Sequence, residues 1–387
     1  MKSKRTFVKL LSALIALLMV FSSIGFAASA EESIGTAKNV ILFIGDGMGV
    51  NTLEWTKAEL DVDLFMDTMP YKGLSQTDSR NGTTDSAAGA TALACGKTVY
   101  NSNLGTLSVL IDGNGATVSS YMNVSEVAKK LGKKAGIVTS DENSGATPAG
   151  FSVHTYKRTL SEEITLQQMN CGLDLIWAAN NGISVKEDFE NAGWTYSSTM
   201  LELQKLEDDK PSFAAIDGPI YYETGSKADA PLSALTTMAI KRLDNEDGFF
   251  LMVEGAHIDK NSHANNKEQM MKAVLEFDKA IANAVKFAEE DGNTIVIVTA
   301  DHETGGITFN EEKGEYEYTL TGHSGADVPL LVYGSDELVK DGVAVKNTTV
   351  ATFIAGKLGY TEKFPDGKYN FLFPFALIGA LVKSIFT

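Results

Sequence analysis

Cysteine is nearly missing from this chain, with Cys95 and Cys171 the only two among 387 residues. A disulfide scaffold or a cysteine-rich zinc module needs more, so both are excluded. Basic residues are also short, 33 Lys and Arg against 50 Asp and Glu, for a formal net charge of −17. A general nucleic-acid binder requires a basic face, which this balance does not provide. There is no heptad run, no collagen period, no low-complexity tract and no internal repeat of about 20–50 residues. What remains is an ordinary globular composition, 44% hydrophobic and 21% charged. That supports a sizeable core and excludes a disordered chain, which would combine few aliphatic residues with extreme charge.

The N-terminal segment carries Lys2, Lys4, Arg5 and Lys9 and no acid, then an apolar run from Leu10 to Phe21, then Ala28-Ser29-Ala30. A basic head, a short apolar stretch and a small-residue end predict a secretory signal peptide over residues 1–30. The apolar run is shorter than the ~20 residues of a membrane span. An acidic, exported protein is therefore expected: secreted, periplasmic or at the cell surface. Export permits a disulfide between Cys95 and Cys171, although two buried free thiols suit their apolar surroundings equally well.

Apolar runs at Asn39–Ile44, Ala135–Thr139, Phe249–Val253, Thr294–Thr299 and Val328–Tyr333 are rich in Val, Ile and Leu and lack polar alternation. Such runs suit strands buried on both faces. Helical spacing of apolar residues marks Ser125–Leu131, Leu232–Leu243, Lys267–Glu290 and Thr348–Leu358, and Ser86–Ala94 is nearly all small residues. The alternation predicts an α/β three-layer sandwich, with helices on both faces of a central, mostly parallel sheet. Residues 31–387 read as one domain, with an insertion or substrate-side cap around 160–230. Ligands of such sheets bind beyond the carboxyl ends of the strands, and the reactive side chains of this sequence gather there.

Asp46 follows the first strand between glycines that let the chain turn sharply. Thr147 and Arg158 follow the second. Ser86 opens the small-residue helix, where free N–H groups favour an anion; helix capping by Asp85 or Ser86 explains the same pair without catalysis. No His-Asp partner for Ser86 is evident, so a nucleophilic role requires a metal to lower its pKa. In V-E-G-A-H-I-D-K-N-S-H, Asp259 and His263 lie four apart, so one helical turn presents both to one ion. Glu254 precedes them at the strand end and suits a different ion. His257 is the spare histidine, turned away. Asp301 and His302 adjoin in T-A-D-H-E-T-G-G, and His323 follows Gly322. Three of only five histidines thus fall in Gly- or acid-rich loops beside buried strands. The grouping predicts a multinuclear metal site.

The order of these motifs, D-G-M-G, D-S-A-A-G-A-T, A-T-P-A, V-E-G-x-x-I-D, A-D-H-E-T-G and G-H, resembles the alkaline phosphatase family from Asn39 to about Leu358. The resemblance implies hydrolysis of small phosphate monoesters through a phosphoserine at Ser86, with two Zn²⁺ and one Mg²⁺. It implies Asp259, His263 and His323 for one zinc, Asp46, Asp301 and His302 with Ser86 for the other, and Asp46, Thr147 and Glu254 for magnesium. Arg158 matches the arginine that clamps the phosphate, and Lys260 matches a lysine near it in some bacterial members. A homodimer is a common family state. Related phosphodiesterases and sulfatases are the enzymatic alternatives, and a fold that keeps the site without turnover is the non-enzymatic one. One departure stands out: Gly145 occupies a position where family members carry Asp or His. A labile magnesium site is expected, tightened by Gly145→Asp. The run Phe371–Val382 is apolar apart from Pro374 and Gly379. It is too short to span a bilayer, so packing on the enzyme or at a dimer contact is favoured over membrane association.

Overall fold

In chain order the central sheet is built from β1 (Asn39–Ile44), β2 (Tyr71–Gln76), β3 (Lys134–Glu142), β4 (Leu175–Ala179), β5 (Thr195–Ser197), β6 (Ser212–Ile216), β7 (Phe249–Glu254), β8 (Thr294–Thr299), β9 (Val328–Tyr333) and β10 (Val345–Lys346). The computed structural model describes residues 35–111, 114–217, 220, 230–339 and 343–370. The expected signal peptide and the apolar run from Phe371 lie outside the described residues. Across the sheet the order is β10-β2-β9-β8-β1-β7-β3-β4-β6-β5. From β8 to β5 every neighbouring pair is parallel, while β9 runs antiparallel to both β8 and β2.

The continuous apolar runs have a simple cause. In β1, Ile41 and Phe43 join one core with Leu251, Val253, Val296 and Val298. Val40, Leu42 and Ile44 point the other way and join a second core with Phe250, Met252, Ile295 and Ile297. Side chains alternate between faces, both faces are covered, and neither face calls for polar residues. The helices that position the site are α1 (Ser86–Cys95), α2 (Val124–Lys130), α3 (Ala146–Gly150), α4 (Leu232–Leu243), α5 (His257–His263), α6 (Lys267–Asp291) and α7 (Thr348–Lys357). Helices α4 and α6 cover the first face through Leu235, Ile240, Phe277 and Ile281. Helices α1, α2 and α7 cover the second through Leu93, Ala128, Val350 and Ile354. The layers are those expected.

The described part of the stretch expected as an insertion or cap, around 160–230, contributes strands to the central sheet. Residues in that stretch form β4, β6 and β5, which extend the parallel sheet to its edge. Their sequences, LIWAA, SFAAI and TYS, are poorer in Val, Ile and Leu than the runs that mark the other strands. Both cysteines are free thiols, Cys95 buried and Cys171 partly so. Burial pushes the Cys171 thiol up to about 12, which leaves it unreactive as a nucleophile at neutral pH. Among the described residues, no helix is long and apolar enough to cross a membrane.

One feature of register sets up the site. Thr139 pairs with Glu254, Glu254 with Ile44, and Ile44 with Thr299. Three adjacent parallel strands, β7, β1 and β8, therefore end level beside β3, which runs on to Glu142; Glu254 closes that row and the other reactive residues lie beyond it.

Candidate metal centre

Asp46 leaves β1 through Gly47, whose φ of +73° is a conformation that L side chains rarely adopt. The same glycine lies so close to Asp259 that a Cβ would sit 2.8 Å from its Cα and Cβ. Its N–H donates to Asp301 Oδ1 at 3.2 Å. This one backbone turn draws Asp46, Asp259 and Asp301 together. Helix α1 reaches the same point because it is made of small residues: a Cβ on Gly89 would meet Asp301 Cβ and O at 2.9 Å.

Two ligand clusters result. Asp46, Asp301 and His302 offer ligand atoms within 4.8 Å of one another, and so do Asp259, His302 and His323. His263 borders the second group, its Nε2 3.4 Å from Asp259 Oδ1 and 3.1 Å from His323 Nε2. The Nδ1 atoms of these two histidines lie 2.6 Å from the Thr321 carbonyl and 2.9 Å from the Thr84 carbonyl. Only a protonated Nδ1 can donate to a carbonyl, so each neutral ring turns a bare Nε2 lone pair toward the other. Two facing lone pairs repel unless a cation sits between them. The pairing of Thr304 with His323 in a two-residue ladder brings the last histidine into place, and the Thr304 hydroxyl donates to Asp259 Oδ1. His257 is indeed apart, its Nδ1 3.3 Å from Ser140 Oγ.

A third group of oxygen donors lies around Glu254. Asp46 Oδ1, Asp301 Oδ2, Glu254 Oε1 and Thr147 Oγ1 are all buried without a hydrogen-bond partner. Buried polar atoms are seldom left unpaired, and oxygen donors of this kind are what a hard cation uses. The donor set therefore fits metal ions: mixed nitrogen and oxygen in the two clusters, oxygen alone at Glu254 and Thr147. Lys260 reaches the rim of this group and donates to Asp141 Oδ1. Asp141 carries no sequence signal of its own. Its carboxylate lies in the space that a side chain at 145 would need, so an aspartate introduced by Gly145→Asp has to displace Asp141 to reach the site.

Electrostatics point the same way. Burial, then the charges of Asp301, Asp259 and Glu254, push the Asp46 carboxyl well above its ordinary range. Burial and then Asp141 raise Glu254 to about 8, and burial and then Asp259 raise Asp301 to about 7. Burial, followed by His323, Arg158 and His263, holds His302 far below the usual imidazole value. A carboxyl with a raised pKa keeps a proton in the folded state that the unfolded chain, titrating near pH ~4, has already released. In the metal-free protein the contribution of these acids to folding stability therefore falls as pH rises from about 4 to about 8, opposed below about 6.5 by the depressed His302, so the net fall is read between about 6.5 and about 8. Melting temperatures across that range should decline in chelator and hold steady with metals bound. Parallel curves would contradict a metal centre built on these acids.

Ser86 is the first residue of α1, buried, with Oγ 3.2 Å from His302 Nε2. Asp85 is the cap, accepting from Ala88 N at 3.0 Å, so Ser86 is spared that duty. The same Asp85 carboxylate accepts from Ser102 N at 3.0 Å and from Arg158 Nη1 at 3.3 Å. It anchors the guanidinium beside the serine and leaves most of its five donors free. The sequence suggested a cap for Asp85; its hold on Arg158 had no sequence signal.

Residues 37–175 and 177–321 match the profile of the family described as alkaline phosphatase. Alkaline phosphatase 4 of Bacillus subtilis is 33% identical over 319 residues, 74% of this chain and 66% of that protein. Alkaline phosphatase of Escherichia coli is 30% identical over 338 residues, 69% of this chain and 70% of that protein. The chain thus spans about two thirds of the length of these curated relatives. The alkaline phosphatase of the Antarctic bacterium TAB5 superposes with a TM-score of 0.74 at 29% identity, covering 85% of this chain and 100% of that one. A variant of that enzyme holds Mg in a site termed M3. Motif order, sheet topology, buried acid–histidine clusters and these likenesses agree, and the chain belongs to the alkaline phosphatase family of metal-dependent phosphomonoester hydrolases.

Proposed function

We propose that this chain hydrolyses small phosphate monoesters in two transfers, through a phosphoserine at Ser86, with two Zn²⁺ and one Mg²⁺ as cofactors. Asp259, His263 and His323 would hold one zinc. Asp46, Asp301 and His302 would hold the other, with Ser86. Asp46, Thr147 and Glu254 would hold magnesium. The observation that carries the proposal is a buried serine hydroxyl at a helix N-terminus, set against His302 and flanked by an arginine tied to the helix cap.

Bound cations supply Lewis-acid charge, which activates a hydroxyl or a water and neutralises a developing oxyanion. The chain's own groups do the rest. The α1 N-terminus directs unpaired N–H groups at the phosphoryl group. Arg158 can grip two phosphate oxygens with the parallel N–H bonds of its planar fork, while Asp85 holds one end of the guanidinium through Nη1. The acids exclude a phosphate dianion unless cations offset their charge, so substrate binding is coupled to metal loading. Lys260 sits at the rim as a substrate-side cation. Export of the protein is proposed on its basic and apolar N-terminal pattern alone.

The test is phosphate release from a chromogenic monoester, compared with a diester and a sulfate ester. Monoester turnover should dominate, vanish in chelator and return with Zn²⁺ and Mg²⁺. Preference for the diester or the sulfate, or chelator-resistant turnover, would overturn the proposal.

A further inference from the structure

We infer that Asp141 supplies the carboxylate that residue 145 lacks beside Glu254, positioning Lys260 and Glu254 around the third cation. The inference rests on the three-cation function proposed above.

Gly145 is the N-cap of α3 and brings no side chain to the site. A Cβ there would lie 2.4 Å from Asp141 Oδ2, 2.8 Å from Asp141 Cγ and 3.0 Å from the Glu142 carbonyl. The glycine is the space into which Asp141 folds. Asp141 reaches it because the pairing of β3 with β4 shifts register between Val138 and Glu142. An irregularity of this kind re-aims side chains at a strand end.

The hydrogen bonds show what the re-aimed residue holds. Asp141 Oδ1 accepts from Lys260 Nζ and from the Glu142 amide at 2.8 Å. Its own N–H donates to Thr139 Oγ1 at 2.8 Å, and that hydroxyl donates to Glu254 Oε2. Asp141 and Glu254 therefore share one tether at Oε2, and Glu254 Oε1 is left fully buried with the Thr147 hydroxyl as its neighbour. Both hydrogen bonds accepted by Asp141 fall on Oδ1, which leaves Oδ2 for the hydration shell that Mg²⁺ usually keeps. Asp141 is a positioning residue: it acts through Lys260, Glu254 and water.

The experiment is calorimetric titration of zinc-loaded, magnesium-depleted protein with Mg²⁺, for the parent, Asp141→Asn, Asp141→Ala, Gly145→Asp and the double variant Asp141→Ala/Gly145→Asp. Asp141→Asn should weaken Mg²⁺ binding about 10–100-fold, the usual effect of losing an outer partner, with zinc content and metal-free melting temperature kept. Gly145→Asp should also weaken it, since two carboxylates then compete for one space. The double variant, with that space cleared, should bind Mg²⁺ more tightly than Asp141→Ala alone. Unchanged affinity in Asp141→Asn, or tighter binding in Gly145→Asp alone, overturns the role of Asp141 while leaving the three-cation function standing. A parent that binds no Mg²⁺ beyond its zinc overturns both.

Discussion

Ser86→Ala is expected to lower monoester turnover by a factor on the order of 10³ or more, the scale at which loss of a nucleophile is usually felt. The fold should survive. Asp85, not Ser86, caps α1, and alanine is the best helix former to place in its first turn. The buried site loses one hydroxyl, whose Oγ contact is with His302 at 3.2 Å. Zinc content should stay close to that of the parent, since Asp46, Asp301 and His302 remain. Steady-state rates with parallel metal analysis check this. Turnover near the parent rate would mean that water attacks phosphorus directly, and Ser86 would be only a buried helix residue.

His323→Ala should have an effect of similar size by a different route. His323 is held by Thr84 through Nδ1 and by its ladder with Thr304, and its Nε2 faces His263 at 3.1 Å. Removing it leaves Asp259 and His263 as the protein's share of one zinc site, fewer than the three ligands a catalytic zinc generally keeps. The variant should lose one of two zinc ions and most of its activity, and excess Zn²⁺ should restore part of both. Elemental analysis after gel filtration decides it. Equal zinc in variant and parent would place His323 outside the metal centre.

Both expectations depend on residues the sequence exposes well, and the reason is physical. Strands β1, β7 and β8 are apolar on both faces, so each reads as an unbroken run that ends where the polar chemistry starts. Asp46, Glu254 and Asp301–His302 were found for that reason. Helix α1 was visible because only small residues let it approach Asp301. The edge strands β4, β5 and β6 were not visible. They are poor in Val, Ile and Leu, and residues 160–230 carry no reactive motif to mark strand ends. Asp141 was missed for a third reason. Its placement depends on a register shift inside β3 and on space left by a glycine four residues later. Neither leaves a periodicity. Asp85 could be read as a cap, but its grip on Arg158 joins residues 73 apart in sequence. Contacts of that range are products of the fold, which no local pattern encodes.

The central claim is that hydrolysis passes through Ser86 in two transfers. The most direct measurement uses a monoester whose phosphoryl group is made chiral with oxygen isotopes, transferred by the enzyme to an alcohol acceptor. Each in-line displacement inverts phosphorus, so a serine intermediate gives two inversions and net retention. The proposed mechanism predicts retention in the product ester. Net inversion would mean a single direct transfer and would contradict it.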